Sequence, residues 1–326
     1  MRMTPEAVKA FESCKVKAAQ GDADAQCYLG KCYSFIEGVA MDPVEAAKWY
    51  RKAADQGHAE AQFRVGDCYR YRGVAVDQDY VQAASWYRKA AEQGHAQAQF
   101  ELGDFYYDGR GVAKDEVEAA SWWHKATEQG DAEMQFKLGL KYFNGRGMAK
   151  DFTQGVSWLR KAAEQGHVGA LLNLGSIYSG VGANSKTDYV QAVFWYRKGA
   201  EQGFAVCQTS LGGCYYFGNG VEQDYVQAVT WWRKAAEKGD FNALNYLAKC
   251  YYNGIGVAQD VIEAYALWQL IPGEEEGEDD NLGLSAKQIA AGKKRAIELQ
   301  KELDPKREAG REAYRAQLRK RLGLPD

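Results

Sequence analysis

The sequence predicts an all-α solenoid of about seven helix–turn–helix units, and three regularities predict it. Trp49, Trp86, Trp122, Trp158, Trp195 and Trp231 recur every 36 or 37 residues. The next position holds Tyr50, Tyr87, Trp123, Leu159, Tyr196 and Trp232, and Leu267-Trp268 supplies a seventh copy. An Asp follows the same rhythm, at Asp42, Asp79, Asp115, Asp151, Asp188, Asp224 and Asp260. A Leu-Gly pair with a Tyr three residues on marks the helix before it, as in Leu29-Gly30 with Tyr33 and Leu102-Gly103 with Tyr106. A unit that repeats at this period cannot bury its apolar face alone and stacks on its neighbours.

Each element follows in order. Glycine in a helix interior costs roughly 1 kcal/mol against alanine. Its recurrence after Leu in the first helix therefore predicts close helix approach, and Ala248 is the small substitute in the last unit. Gly-x-Gly turns end several first helices, at Gly109-Arg110-Gly111, Gly145-Arg146-Gly147, Gly218-Asn219-Gly220 and Gly254-Ile255-Gly256. The second helix opens with the Asp. Three residues later stand Glu45, Gln82, Glu118, Gln154, Gln191, Gln227 and Glu263. That spacing reads as a capping box, in which Asp accepts from the first turn and Glu or Gln reaches back to the cap N–H. Gly57, Gly94, Gly130, Gly166, Gly203 and Gly239 end the second helices with a left-handed residue.

These residues resemble the Sel1-like repeat, a relative of the tetratricopeptide repeat. The resemblance rests on Ala-x-Ala-Gln-x-x-Leu-Gly-x-x-Tyr over 96–106, Gly-x-Gly-Val-x-x-Asp over 109–115 and Ala-x-x-Trp-Tyr-x-Lys-Ala-Ala-x-Gln-Gly over 83–94. It implies a right-handed superhelix of antiparallel helix pairs that binds proteins or peptides. The expected organisation is a capping helix in 1–21, seven repeats in 22–271, an acidic loop in 272–284 and a basic helical cap in 285–326. Ser285 with Gln288 opens one helix of that cap to about Leu303, and Pro305 starts a second, 308–322.

Composition narrows the function. The net charge is −3, while residues 285–326 alone carry +6, so the array before them is about −9. A weakly acidic array is a poor nucleic-acid binder. No apolar run approaches 18 residues, so no membrane span is expected, and the first residues lack a signal-peptide core. Cys32, Cys68, Cys214 and Cys250 share one packing position. Cys207 and Cys214 are two helical turns apart, ~10 Å, too far for a bridge. Secreted cysteine-rich members of the family pair cysteines across each helix pair, but here Ala54, Ala91 and Ala163 stand at the end of the second helix. Seven free thiols and a cytoplasmic location are the expectation.

No cofactor, metal or catalytic set stands out. The Gly-x-Gly turns follow helices rather than strands, unlike a dinucleotide loop. His58, His95 and His167 share the cap position that Asp22, Asp131 and Asp240 fill elsewhere. His124 stands in an Arg column with Arg51, Arg88, Arg160, Arg197 and Arg233, read as a solvated ridge neutralised by acids three or four residues on. Enzymatic alternatives, a cell-wall-related hydrolase or β-lactam binder, have only the family to support them. A bacterial effector acting on a host protein would still work by binding.

The reading is therefore a non-catalytic scaffold, bacterial and monomeric, that holds a peptide or partner helix in a concave groove. Offsets carried over from the tetratricopeptide pattern place Phe63, Asp67, Phe100, Asp104, Tyr107, Phe136, Phe143, Tyr216 and Tyr252 in that groove, in three columns that also run through Leu172, Thr209, Gly213 and Lys249. Their aromatics suggest apolar anchors, and their carboxylates, with Glu60 and Glu133, a basic flank on the partner. The basic tail is itself a candidate occupant.

Overall fold

A computed structural model describes residues 5–35, 40–71, 76–180, 187–272 and 283–321. These hold sixteen helices and no strand. Helix α1 (Pro5–Ala19) precedes seven pairs: α2 (Ala23–Phe35) with α3 (Pro43–Asp55), α4 (Ala59–Arg70) with α5 (Tyr80–Glu92), α6 (Ala96–Asp108) with α7 (Glu116–Glu128), α8 (Ala132–Asn144) with α9 (Phe152–Glu164), α10 (Val168–Tyr178) with α11 (Tyr189–Glu201), α12 (Ala205–Phe217) with α13 (Tyr225–Glu237), and α14 (Phe241–Asn253) with α15 (Val261–Trp268). Helix α16 (Ala286–Arg321) follows. The chain divides into two compact bodies, residues 1–162 and 163–326. Most of the expected acidic loop, including the acids of 274–280, lies outside the described residues.

The Leu-Gly position does what its cost implies. A Cβ on Gly30 would lie 2.5 Å from the Tyr50 ring, and one on Gly103 would lie 2.5 Å from the Trp123 ring nitrogen. In five of the seven pairs the second-column aromatic thus fills the space the glycine leaves. In the fourth pair Leu159 replaces the aromatic and leaves more room. There Gly155 appears on the facing helix, and its carbonyl comes within 3.1 Å of the Gly139 Cβ position. The buried side chains are mainly Ala, Leu and these aromatics, with Trp123, Trp232 and Tyr87 among the largest.

The caps correct half of the expected box. All seven Asp side chains accept from first-turn N–H groups, as Asp115 does from Val117 and Glu118 at 2.9 Å. The Glu or Gln three residues on finds no free cap N–H to accept. Each cap N–H instead donates to the Tyr carbonyl of the preceding helix, from Asp42 to Tyr33 (3.0 Å) through Asp260 to Tyr251 (2.9 Å). That carbonyl is one of the unpaired groups at a helix C-terminus, so one bond satisfies both ends of the turn. The reciprocal box does form at Ser285, whose N–H donates to Gln288 Oε1 at 2.9 Å. Among the described residues no carbonyl of a preceding helix accepts that N–H.

The Arg column is also corrected. Arg51 meets Asp55 at 3.0 Å as expected. Arg88, Arg197 and Arg233 instead donate to the hydroxyls of Tyr106, Tyr215 and Tyr251 on the next first helix. His124 does the same work, pairing with Tyr142 at 2.9 Å and lying against Trp158. It is half-buried rather than solvated, and burial lowers its pKa. The neighbouring lysines fold back over the first-column indoles, with Lys89 3.8 Å above Trp86 and Lys234 4.1 Å above Trp231.

The tail forms one helix rather than two. Pro305 lies inside α16, where a proline removes one helical hydrogen bond. Contacts on both sides of it hold the helix. Arg295 pairs with Glu263 at 2.7 Å, Ala296, Leu299 and Leu303 are buried, and Lys306 pairs with Glu237. A Cβ on Gly292 would clash with the Tyr265 ring. Helix α16 therefore packs on α15 and α13 and covers the last pair.

Candidate partner-binding site

The first helices of the two bodies present different chemistry. In the N-terminal body the charges on this face are committed to one another. Glu60 is within 2.9 Å of both Arg64 and His95 and 3.6 Å from Lys31. His95 Nδ1 accepts the Ala98 N–H as an N-cap, so Nε2 carries the proton and donates to Glu60. His58 and His167 cap their helices in the same way. Burial would raise the Glu60 pKa, but the His95 bond and the charges of Arg64 and Lys31 more than offset it and hold the carboxyl well below its ordinary range.

Asp67 accepts from the Tyr87 hydroxyl at 2.8 Å and lies 3.6 Å from Arg64. Burial dominates here and pushes its pKa up to about 6 despite both partners. Asp104 accepts from the Trp123 indole at 3.1 Å and pairs with Lys141 at 2.6 Å. Lys141 in turn sits 3.8 Å above the Trp123 ring. Glu101 pairs with Arg70. Phe63 is 6% exposed and stacks on His95, and Phe100 is 3% exposed beside Trp123. Both back the face as core. Tyr107, Phe136 and Phe143 are half-buried, with Tyr107 5.9 Å from Trp123 and Phe143 5.4 Å from Phe152. Among the described residues neither free anchors nor unpaired carboxylates are gathered here, so Asp67, Asp104 and Glu60 give no basis for a basic flank.

In the C-terminal body α10 and α12 carry no charged residue, and Lys249 is the only one on α14. A cleft of about 650 Å³ opens across these helices. Leu172, Val206, Thr209, Gly213, Tyr216, Phe217, Trp232, Tyr246 and Lys249 line it. Phe217 is 65% exposed, and Tyr246 stacks on Trp232 at 4.9 Å. Of the groove positions expected from the sequence, Leu172, Thr209, Gly213, Tyr216 and Lys249 line this cleft, while Tyr252 packs on Trp268 at 5.9 Å. Val206, Phe217 and Tyr246 fall outside the columns that predicted a groove. The loss of charge from 168–178 and 205–217 was the available signal.

Helix pairs in series, locked by Gly-against-aromatic contacts, define an α-helical repeat protein. The chain belongs to the Sel1 repeat family, whose model matches residues 23–58, 59–95, 96–131, 132–167, 168–204, 205–240 and 242–270. Among solved structures it is similar to a protective antigen of uropathogenic Escherichia coli with an SLR fold, at TM-score 0.67 and 33% identity. That match covers 89% of this chain, which spans 64% of the antigen's length. It is also similar to a Sel1 repeat protein from Oxalobacter formigenes, at TM-score 0.62 and 30% identity over 93% of this chain and 83% of that one. No curated protein matches. Repeat arrays of this kind offer extended surfaces to protein partners. No helix among the described residues is long and apolar enough to cross a membrane.

Proposed function

We propose that this chain is a non-catalytic protein-interaction scaffold whose partner lies on the first-helix face of the C-terminal body. The observation that carries this reading is the open cleft, with Phe217 and Tyr246 exposed beside Trp232. Exposed aromatics next to a desolvated one are the material of interface anchors. The paired face of the N-terminal body supports a secondary role for Tyr107, Phe136 and Phe143, as a rim with little net charge to steer by. The seven cysteines are unbridged, and burial pushes the thiols of Cys68, Cys207, Cys214 and Cys250 up to about 11. Inert packing thiols of this kind support a reducing compartment.

The test is capture from native lysate by immobilised full-length protein, read by mass spectrometry. Phe217→Ser combined with Tyr246→Ser removes two exposed side chains and should leave the helical circular dichroism unchanged. The double variant should lose the partners that wild type captures. Capture of the same partners by the folded variant would place the binding surface elsewhere.

A further inference from the structure

The fold does not account for Gly213. It lies inside α12 with an ordinary helical backbone, and a Cβ built there meets nothing within 4 Å. Its neighbour Gly212 is different, because a Cβ there would lie 2.5 Å from Trp232. Glycine weakens a helix interior relative to alanine, so bare backbone at 213 is a weakness that packing does not require. What it provides is floor for the cleft between Tyr216, Trp232 and Tyr246. Missing side chains are used where another molecule must come close to the backbone.

Length and charge then limit the occupant. The lining runs from Leu172 on α10 across α12 to Lys249 on α14. Neighbouring helices pack 8–10 Å apart, so three of them span roughly 20 Å. An extended chain of about six residues covers that distance, whereas a compact small molecule does not. Lys249 is exposed and has no carboxylate within pairing distance among the described residues. The other charged lining group, Asp240, already caps α14 by accepting from Ala243 at 2.9 Å. It precedes Lys249 by nine residues, ~13 Å along the helix. The lysines and arginines on the N-terminal face are paired, so Lys249 is distinctive in being available.

We infer that the cleft takes an extended peptide segment that seats an apolar side chain over the bare backbone of Gly213 and pairs an adjacent carboxylate with Lys249. This rests on the scaffold reading and adds the sign of the partner's charge, opposite to the basic flank the sequence suggested.

Random heptapeptides displayed against the full-length chain test it, with Gly213→Leu and Lys249→Glu as parallel targets. Wild type should enrich peptides that join Phe, Leu or Trp to Asp or Glu. Gly213→Leu fills the floor with a better helix former, so it should melt no lower than wild type and lose the enrichment. Lys249→Glu should weaken an enriched peptide roughly tenfold in fluorescence anisotropy at low salt, the scale of one charge-assisted bond, and should select Lys or Arg instead. Enrichment without a carboxylate, or unchanged affinity on Lys249→Glu, overturns the charge pairing. Binding that persists on folded Gly213→Leu overturns the seat over Gly213. If no peptide is enriched while lysate capture depends on Phe217 and Tyr246, this inference falls and the scaffold reading stands.

Discussion

Gly212 and Gly213 are adjacent in the chain and opposed in their constraints. Gly212→Ala drives a methyl into the Trp232 ring and should destabilise the protein by ~1–3 kcal/mol, the usual range for overpacking. Gly213→Ala meets open space and should stabilise it by up to ~1 kcal/mol through helix propensity. Equal thermal shifts for the two variants would refute the distinction. Asp67 gives a second residue-level test. Its folded pKa is raised to about 6, so the folded state holds this proton where the unfolded chain has lost it. The stability it contributes is complete below pH ~4 and falls as pH rises toward 6. About a quarter of its side chain is exposed, which moderates the effect. Asp67→Asn keeps an acceptor for Tyr87 and should flatten that slope, leaving the variant ~1–2 kcal/mol better relative to wild type at pH 7 than at pH 4. Denaturant unfolding across that range checks the sign, and parallel pH profiles for the two proteins would exclude it.

The second helices show how far spacing alone can be read. Asp followed by Glu or Gln correctly located seven helix starts. It could not reveal that the cap N–H was already taken, because the Tyr carbonyl that takes it, nine or ten residues earlier, belongs to another element. Local chemistry lost to a tertiary contact made in every pair. Asp224→Ala should therefore cost ~1 kcal/mol, while Gln227→Ala should stay within ~0.5 kcal/mol. At α16 the box is reciprocal, so Ser285→Ala and Gln288→Ala should both register. If Gln227→Ala matched Asp224→Ala in thermal unfolding, the carbonyl account would be wrong. The Arg and His124 column was misread for the same reason. Its acids are near in sequence, but its tyrosine partners stand 18 residues on, across a helix pair.

At the scale of the whole molecule, the repeat was legible because Trp, Gly and Asp recur with one meaning in every unit. The site was legible only in part: the repeat offsets gave the positions of Leu172, Thr209, Gly213, Tyr216 and Lys249, but its chemistry depends on what departs from the repeat. Uncharged α10 and α12, the surplus Gly213 and the exposed Phe217 are individual residues whose sense appears only when three helices are brought side by side. The tail is a departure of another kind. A repeat array needs its last apolar face covered by an element with a polar outer side, and α16 meets that need through Gly292, Ala296, Leu299 and Leu303. After Arg307 the described side chains are exposed, and a Cβ on Gly310 meets nothing. Two truncations separate the parts of this helix. Removing 286–326 uncovers Tyr265 and Leu267 and discards the buried Leu299 and Leu303, each worth ~1.5 kcal/mol or more. The melting temperature should fall by roughly 10 °C. Removing only 309–326 keeps Arg295, Leu303 and Lys306 in place and should leave melting within about 2 °C. A large loss from the shorter truncation would mean that the final turns carry part of the cap. An unchanged melt after the longer one would mean that α16 is a passenger and that α15 closes the array unaided.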